Sequence, residues 1–209
     1  MYNKELTFSR YPQLAPCRES MEEALNILDN CVRNGGKILL CGNGGSAADC
    51  NHIAGECLKG FLKKRSLSQE EKAGWIHAYG DAGAVLADKL QGGICAIDLT
   101  SFPAPISAVT NDTDALLTYA QLVWAMGRPG DVLIGLSTSG NAKNVIYAAQ
   151  AAKQRGMQVI SLTGKKESPL SALANSAIRV PEQETYMVQE LHLPVYHWLC
   201  AALEDKLFE

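Results

Sequence analysis

No apolar run in the 209-residue sequence approaches the ~18 residues that a membrane span needs, and the opening MYNKELTFSRYPQLAP lacks the apolar stretch of a secretory signal. A soluble chain without a membrane partner is expected. An excess of positive charge is also missing. With 19 Lys and Arg against 22 Asp and Glu, the net charge of -3 offers no basic field to nucleic acid. The seven cysteines form no Cys-x-x-Cys pair, and several fall in apolar runs, where free cysteine packs as a small hydrophobe. That usage suits a reducing cytoplasm. Internal repeats and low-complexity tracts are absent, and with 47% hydrophobic residues the chain is long enough for one domain, 1–209, with a full core.

What is present is a rhythm of two periods. Residues Glu19 to Arg33, within an N-terminal helical segment 13–35, place Met21, Ala24, Leu25 and Leu28 on one helical face, and Gly35-Gly36 stop the pattern. Short apolar runs then read as strands buried on both faces: Ile38 to Cys41, Ile94 to Ile97, Ile106 to Val109, Val132 to Leu136 and Val159 to Leu162, with a weaker run at Ala177 to Val180. Pro103 and Pro105 are read as punctuating a strand edge. Helical patterns lie between them at Ala47 to Leu58, Asp114 to Met126, Ala142 to Arg155 and Leu170 to Ala174, and a last helix covers 185–207. Alternation of this kind predicts an α/β fold, a parallel sheet covered by helices on both faces. The segment 62–93 breaks the alternation. It is charged, offers Ser68 as an N-cap and reads as a helical insertion, with Lys63-Lys64-Arg65 most simply a solvated helix end.

Two strands run into turns rich in glycine and hydroxyls that open helices: Cys41-Gly42-Asn43-Gly44-Gly45-Ser46 and Ser137-Thr138-Ser139-Gly140-Asn141. Such turns aim free backbone N–H groups and a positive dipole end at an anion, and both should lie on the same edge of a parallel sheet. A tight connection and an N-cap explain each turn alone equally well. Neither turn ends in Gly-Lys-Ser/Thr or reads Gly-x-Gly-x-x-Gly, so a small phosphomonoester is expected and a nucleotide cofactor is not. His52 and Glu56, four apart on the helix after the first turn, share one face, which is an acid/base pair or a mild surface interaction. Gln189 and His197 lie eight residues apart on the last helix, ~12 Å along its axis and ~80° around it. One metal ion could not accept both unless Pro194 bends the helix or different subunits contribute. His77 and His192 are read as structural or surface groups.

The stretches GNGGSAADCNH, GDVLIGLSTSGNAKNV and VQELHLPVYH resemble three motifs of the sugar isomerase (SIS) domain, in the branch of the phosphoheptose isomerases. The resemblance implies a three-layer fold with a five-stranded parallel sheet of flavodoxin-like topology. It also implies isomerisation of a sugar phosphate, sedoheptulose 7-phosphate or a similar ketose phosphate, through an enediol. It carries Glu56 and His197 over as catalytic base and acid, and His52, Glu56, Gln189 and His197 as a site for one divalent ion, often zinc. Substrate contacts fall to Asn43, Gly44, Gly45, Ser46, Asp112, Ser137, Thr138, Ser139, Asn141 and Gln189. A homotetramer with active sites between subunits is implied as well. Three departures stand out: Ala142 replaces a phosphate-holding serine, Tyr186 an acidic residue near the sugar hydroxyls, and the insertion 62–93, outside the resemblance, could cover or reshape the sugar pocket. The rival readings are a different SIS activity on another sugar phosphate and a non-catalytic SIS sensor or scaffold.

Overall fold

The computed structural model describes residues 2–208. Five strands, β1 Ile38–Cys41, β2 Ala96–Asp98, β3 Val132–Leu136, β4 Gln158–Thr163 and β5 Ser176–Arg179, form one parallel sheet in the order β2-β1-β3-β4-β5. Every residue of β1 and β3 is buried, as a sheet covered on both faces requires.

The pleat sorts the side chains into two layers. Ile38, Leu40, Val132 and Ile134 pack into one core with α2 (Arg18–Arg33), α3 (Gly45–Leu58) and α9 (Thr185–Leu207). Leu39, Cys41, Leu133 and Val159 face the other way, against α6 (Thr118–Met126), α7 (Lys143–Gln154) and α8 (Pro169–Leu173). Each such aliphatic side chain contributes about 1.5–3 kcal/mol on burial. The architecture is the expected three-layer α/β sandwich.

The expected strand Ile106 to Val109 is instead part of α5 (Pro103–Asp112), a helix with no buried residue. Pro103 occupies its first turn, where the fixed φ and missing N–H favour a helix start, so the prolines begin a helix and do not mark a strand edge. A four-residue apolar run does not by itself separate the two periods.

Segment 62–93 carries α4 (Gln69–Lys89), opened by a capping box in which Ser68 accepts from the Glu71 N–H and the Glu71 carboxylate accepts from the Ser68 N–H. Gly80, at φ +56, kinks this helix. The basic run before it is not a solvated helix end: Arg65 is buried against Glu204, and Lys63 pairs with Asp205. No helix among the described residues is long and apolar enough to cross a membrane.

Candidate active site

In the order β2-β1-β3-β4-β5 the sheet reverses direction between β1 and β3, and a crevice opens beyond the carboxyl ends of strands at such a point. Both expected turns lie there. The first follows β1 and enters α3 through Gly44, whose φ of +55 only glycine adopts freely. The second follows β3 and reaches α7, with Gly140 at φ +67 packed so closely on Ser168 that a Cβ would collide with it.

The turns are tied to each other. Asn43 Nδ2 donates to Asn144 Oδ1 at 2.9 Å, Asn144 Nδ2 donates back to Asn43 Oδ1 at 2.8 Å, and the Tyr119 hydroxyl donates to the Gly42 carbonyl at 2.7 Å. Asn144 falls inside the GDVLIGLSTSGNAKNV stretch but was given no role, and Tyr119 was not singled out, because only the fold brings together partners 101 and 77 positions apart.

Neither helix start is capped by a side chain: Gly44 has none, and Ala142 makes no cap hydrogen bond. The Ser139 hydroxyl accepts from the Asn141 N–H within the turn, and none of the three hydroxyls caps α7. The N-cap explanation of Ser137-Thr138-Ser139 therefore falls away; the Val145 N–H is taken by the Asn144 side chain and the Ala142 carbonyl, which leaves the first N–H groups of α7, those of Lys143 and Asn144, for an anion. Ser46 and Ser137 are buried, and Asn43, Gly44, Gly45, Ser139 and Asn141 are exposed. A cavity of about 380 Å³ is lined by Thr138, Ser139, Asn141, Lys165, Lys166 and Glu182. The two lysines stand beside the turn and were not singled out in the sequence. A larger hollow of about 930 Å³ between α2 and β5 holds none of the candidate residues.

Further along α3, the acid/base candidates from two helices meet. His52 Nε2 lies 3.1 Å from Glu56 Oε1 and 3.5 Å from His197 Nε2. The His52 and His197 rings cross edge to face at 5.0 Å, and Phe61 covers His197 at 5.6 Å. Burial, and then the neighbouring His52, hold His197 below its ordinary pKa while Glu56 pulls it up, so near pH 7 its imidazole is neutral.

Behind them Tyr196 contacts His52 Nδ1 at 3.0 Å and donates to Asp49 Oδ1 at 3.2 Å. Burial raises the Asp49 carboxyl, against lowering by the Tyr196 hydrogen bond and His52, and burial followed by the Asp49 charge raises the Tyr196 phenol. Asp49 sits one turn before His52 and Tyr196 one residue before His197, yet nothing in the sequence joins them.

Two candidates stand apart from this group. The Gln189 side chain lies against Gly45, at the head of α3, and α9 runs through Pro194 as one helix, so Gln189 does not reach His197. Asp112 ends α5 on the exposed surface, where it accepts from the Asn111 amide at 2.8 Å. Among the described residues no three His, Cys, Asp or Glu side chains converge as a metal site.

Two SIS domain models match the chain, over residues 13–85 and 107–199. A phosphoheptose isomerase of Rhodospirillum rubrum is 36% identical over 195 residues, covering 93% of this chain and 90% of the relative. A match of that length takes in at least part of segment 62–93, which interrupts the βα alternation but is shared in part with this relative. The solved phosphoheptose isomerase of Neisseria gonorrhoeae superposes with a TM-score of 0.71 at 30% identity, covering 96% of this chain and 98% of that one. That of Francisella tularensis gives 0.73 at 26% identity, covering 98% and 100%. With the sheet, the paired turns and relatives alike over nearly their whole length, the chain belongs to the SIS domain family, in its phosphoheptose isomerase branch.

Proposed function

We propose that this chain isomerises a sugar phosphate between aldose and ketose forms through an enediol, with sedoheptulose 7-phosphate or a similar ketose phosphate as substrate. The observation that carries the reading is the meeting of Glu56, His52 and His197 along the helix that the first uncapped turn opens. Phosphate is held by the Ser137 to Asn141 turn and the N–H groups of Lys143 and Asn144 that open α7, with the Asn43 to Ser46 turn beside it. From Gly45 to Glu56 the helix advances about 16 Å, which leaves room for a sugar of several carbons between phosphate and base.

Glu56 takes the proton from one carbon and returns it to the next, while His197 gives a proton to the carbonyl oxygen as the enediol forms and recovers one from the neighbouring hydroxyl as the enediol collapses. A neutral imidazole suits that second role, since it donates without carrying a full charge into the pocket. Tyr186, exposed at the start of α9, and Ala142, which gives α7 no cap, mark where a different sugar could be selected.

A divalent ion suits the donors in type, imidazole nitrogen with carboxylate oxygen. His52 and Glu56 with Gln189 or His197 would hold it, one of the latter two coming from another subunit. When bound, such an ion polarises the sugar oxygens.

A homotetramer with active sites between subunits fits two helices, α4 and α5, that one chain covers only in part. The α5 helix buries no residue, and α4 exposes Ile76, Tyr79, Val85 and Leu86. The seven unpaired cysteines suit the cytoplasm.

The test is Glu56→Gln, checked for folding and assayed on ketose phosphates of several chain lengths. We expect kcat to fall ~10²–10⁴-fold with KM little changed. Wild-type turnover in the folded variant would overturn the assignment.

A further inference from the structure

The two turns of the candidate site meet through one pair of side chains, Asn43 and Asn144, and a backbone group decides which way both amides face. A backbone N–H only donates, so the Asn144 atom that the Val145 N–H meets at 3.0 Å is Oδ1. The other end of that amide is the donor Nδ2, which meets Asn43 Oδ1 at 2.8 Å. Asn43 Nδ2 then returns a hydrogen bond to Asn144 Oδ1 at 2.9 Å. The Tyr119 hydroxyl stands 3.4 Å from Asn43 Oδ1, but its one proton goes to the Gly42 carbonyl at 2.7 Å. Asn144 is thus the near donor to Asn43 Oδ1. With that oxygen engaged and one Nδ2 hydrogen spent, exposed Asn43 keeps its second Nδ2 hydrogen for a ligand. Asn144 is also the second residue of α7, and its own backbone N–H is one of the two left for an anion.

We propose that Asn144 is a positioning residue: it locks the turn after β1 to the start of α7 and holds the Asn43 amide with a donor available to the substrate's phosphate. The consequence for turnover rests on the isomerase reading. An Asn43 amide freed from Asn144 rotates about its last side-chain bond and offers an oxyanion its oxygen as readily as its N–H. Phosphate is then held less tightly in substrate and transition state alike, while Glu56 and His197 stay where they are.

The experiment is a double-mutant cycle of Asn43→Ala and Asn144→Ala, each variant checked for folding. It reads the Kd of inorganic phosphate by calorimetry, and KM and kcat for sedoheptulose 7-phosphate. Asn144→Ala should raise Kd and KM ~10-fold, about the loss of one hydrogen bond to an anion, with kcat within ~2-fold of wild type. Because Asn144 acts through Asn43, the double variant should bind phosphate no more weakly than Asn43→Ala alone. Should Asn144→Ala not fold, Asn144→Ser keeps an oxygen near the Val145 N–H, falls one bond short of Asn43 and should give the same result. Effects that multiply in the double variant, or wild-type phosphate affinity in the folded Asn144 variant, would overturn the proposal, and so would a wild type that binds no phosphate. If phosphate affinity follows the cycle but no sugar phosphate is turned over, the isomerase reading fails and the positioning role stands.

Discussion

His192 is fully buried on α9, and neither ring nitrogen has a hydrogen-bond partner. Burial pushes its pKa from 6.5 down to about 4, while the Thr163 backbone opposes slightly without completing a bond. The folded chain thus keeps His192 neutral where the unfolded chain would protonate it. The contribution to stability is whole above pH 6.5 and is lost as pH falls from there toward 4, at ~1.4 kcal/mol per pH unit and about 3 kcal/mol in all. Urea unfolding across that range, compared between wild type and His192→Leu, should show the slope in the first and a flatter profile in the second. Parallel profiles would contradict it.

Single residues were legible in the sequence where spacing decides their direction. His52 and Glu56 share a face because four residues make about one helical turn. The meeting of His52 with His197 was not legible, because it depends on α3 and α9 lying side by side. Arg65 looked like one member of a charged surface run and is instead a buried ion-pair partner. No local pattern announces that a charge will be enclosed.

Among elements, the join between α3, the 61–65 turn and α9 carries the most. The Glu204 carboxylate accepts from the backbone N–H groups of Phe61, Leu62 and Lys63 and from Arg65 Nε at 2.7 Å. Arg65 also donates to the carbonyls of Glu56 and Cys57, the last turn of α3. Burial alone would raise the Glu204 carboxyl, but these hydrogen bonds and the Arg65 charge outweigh it and hold it below the ordinary value. Removing one partner leaves the other charge buried and unpaired, so Glu204→Ala should cost ~3–5 kcal/mol in denaturant unfolding. A loss under ~1 kcal/mol, the size of a surface pair, would contradict this account of the clamp. Because the clamp grips the carbonyl of Glu56, its loss should also lower activity in molecules that remain folded.

Strands were legible as elements because a parallel sheet buries both faces and leaves continuous apolar runs such as Ile38 to Cys41. Ile106 to Val109, a run of similar length that includes Ser107, lies instead on α5, which has no fully buried residue. Ile106 leans on the core of one sheet face and Val109 is half-buried, a partial cover that a four-residue run does not reveal.

At the scale of the whole molecule, the order β2-β1-β3-β4-β5 places both glycine-rich turns where the strand order reverses, and α3 leads from there to His52 and Glu56. The alternation of strands and helices foretold the layers, and the position of the turns after β1 and β3 foretold the edge. The links that hold the site, Asn43 with Asn144 and His52 with Tyr196, belong to the folded chain alone. In the proposed function they put the phosphate at one end of a crevice and the base Glu56 at the other. The most direct test is to incubate the protein with sedoheptulose 7-phosphate in deuterium oxide and follow the sugar by NMR. The account predicts deuterium entering at C1 or C2 as the aldose form appears, with both events lost in Glu56→Gln. Binding of the sugar phosphate with no exchange at either carbon would contradict it and leave the chain a sensor.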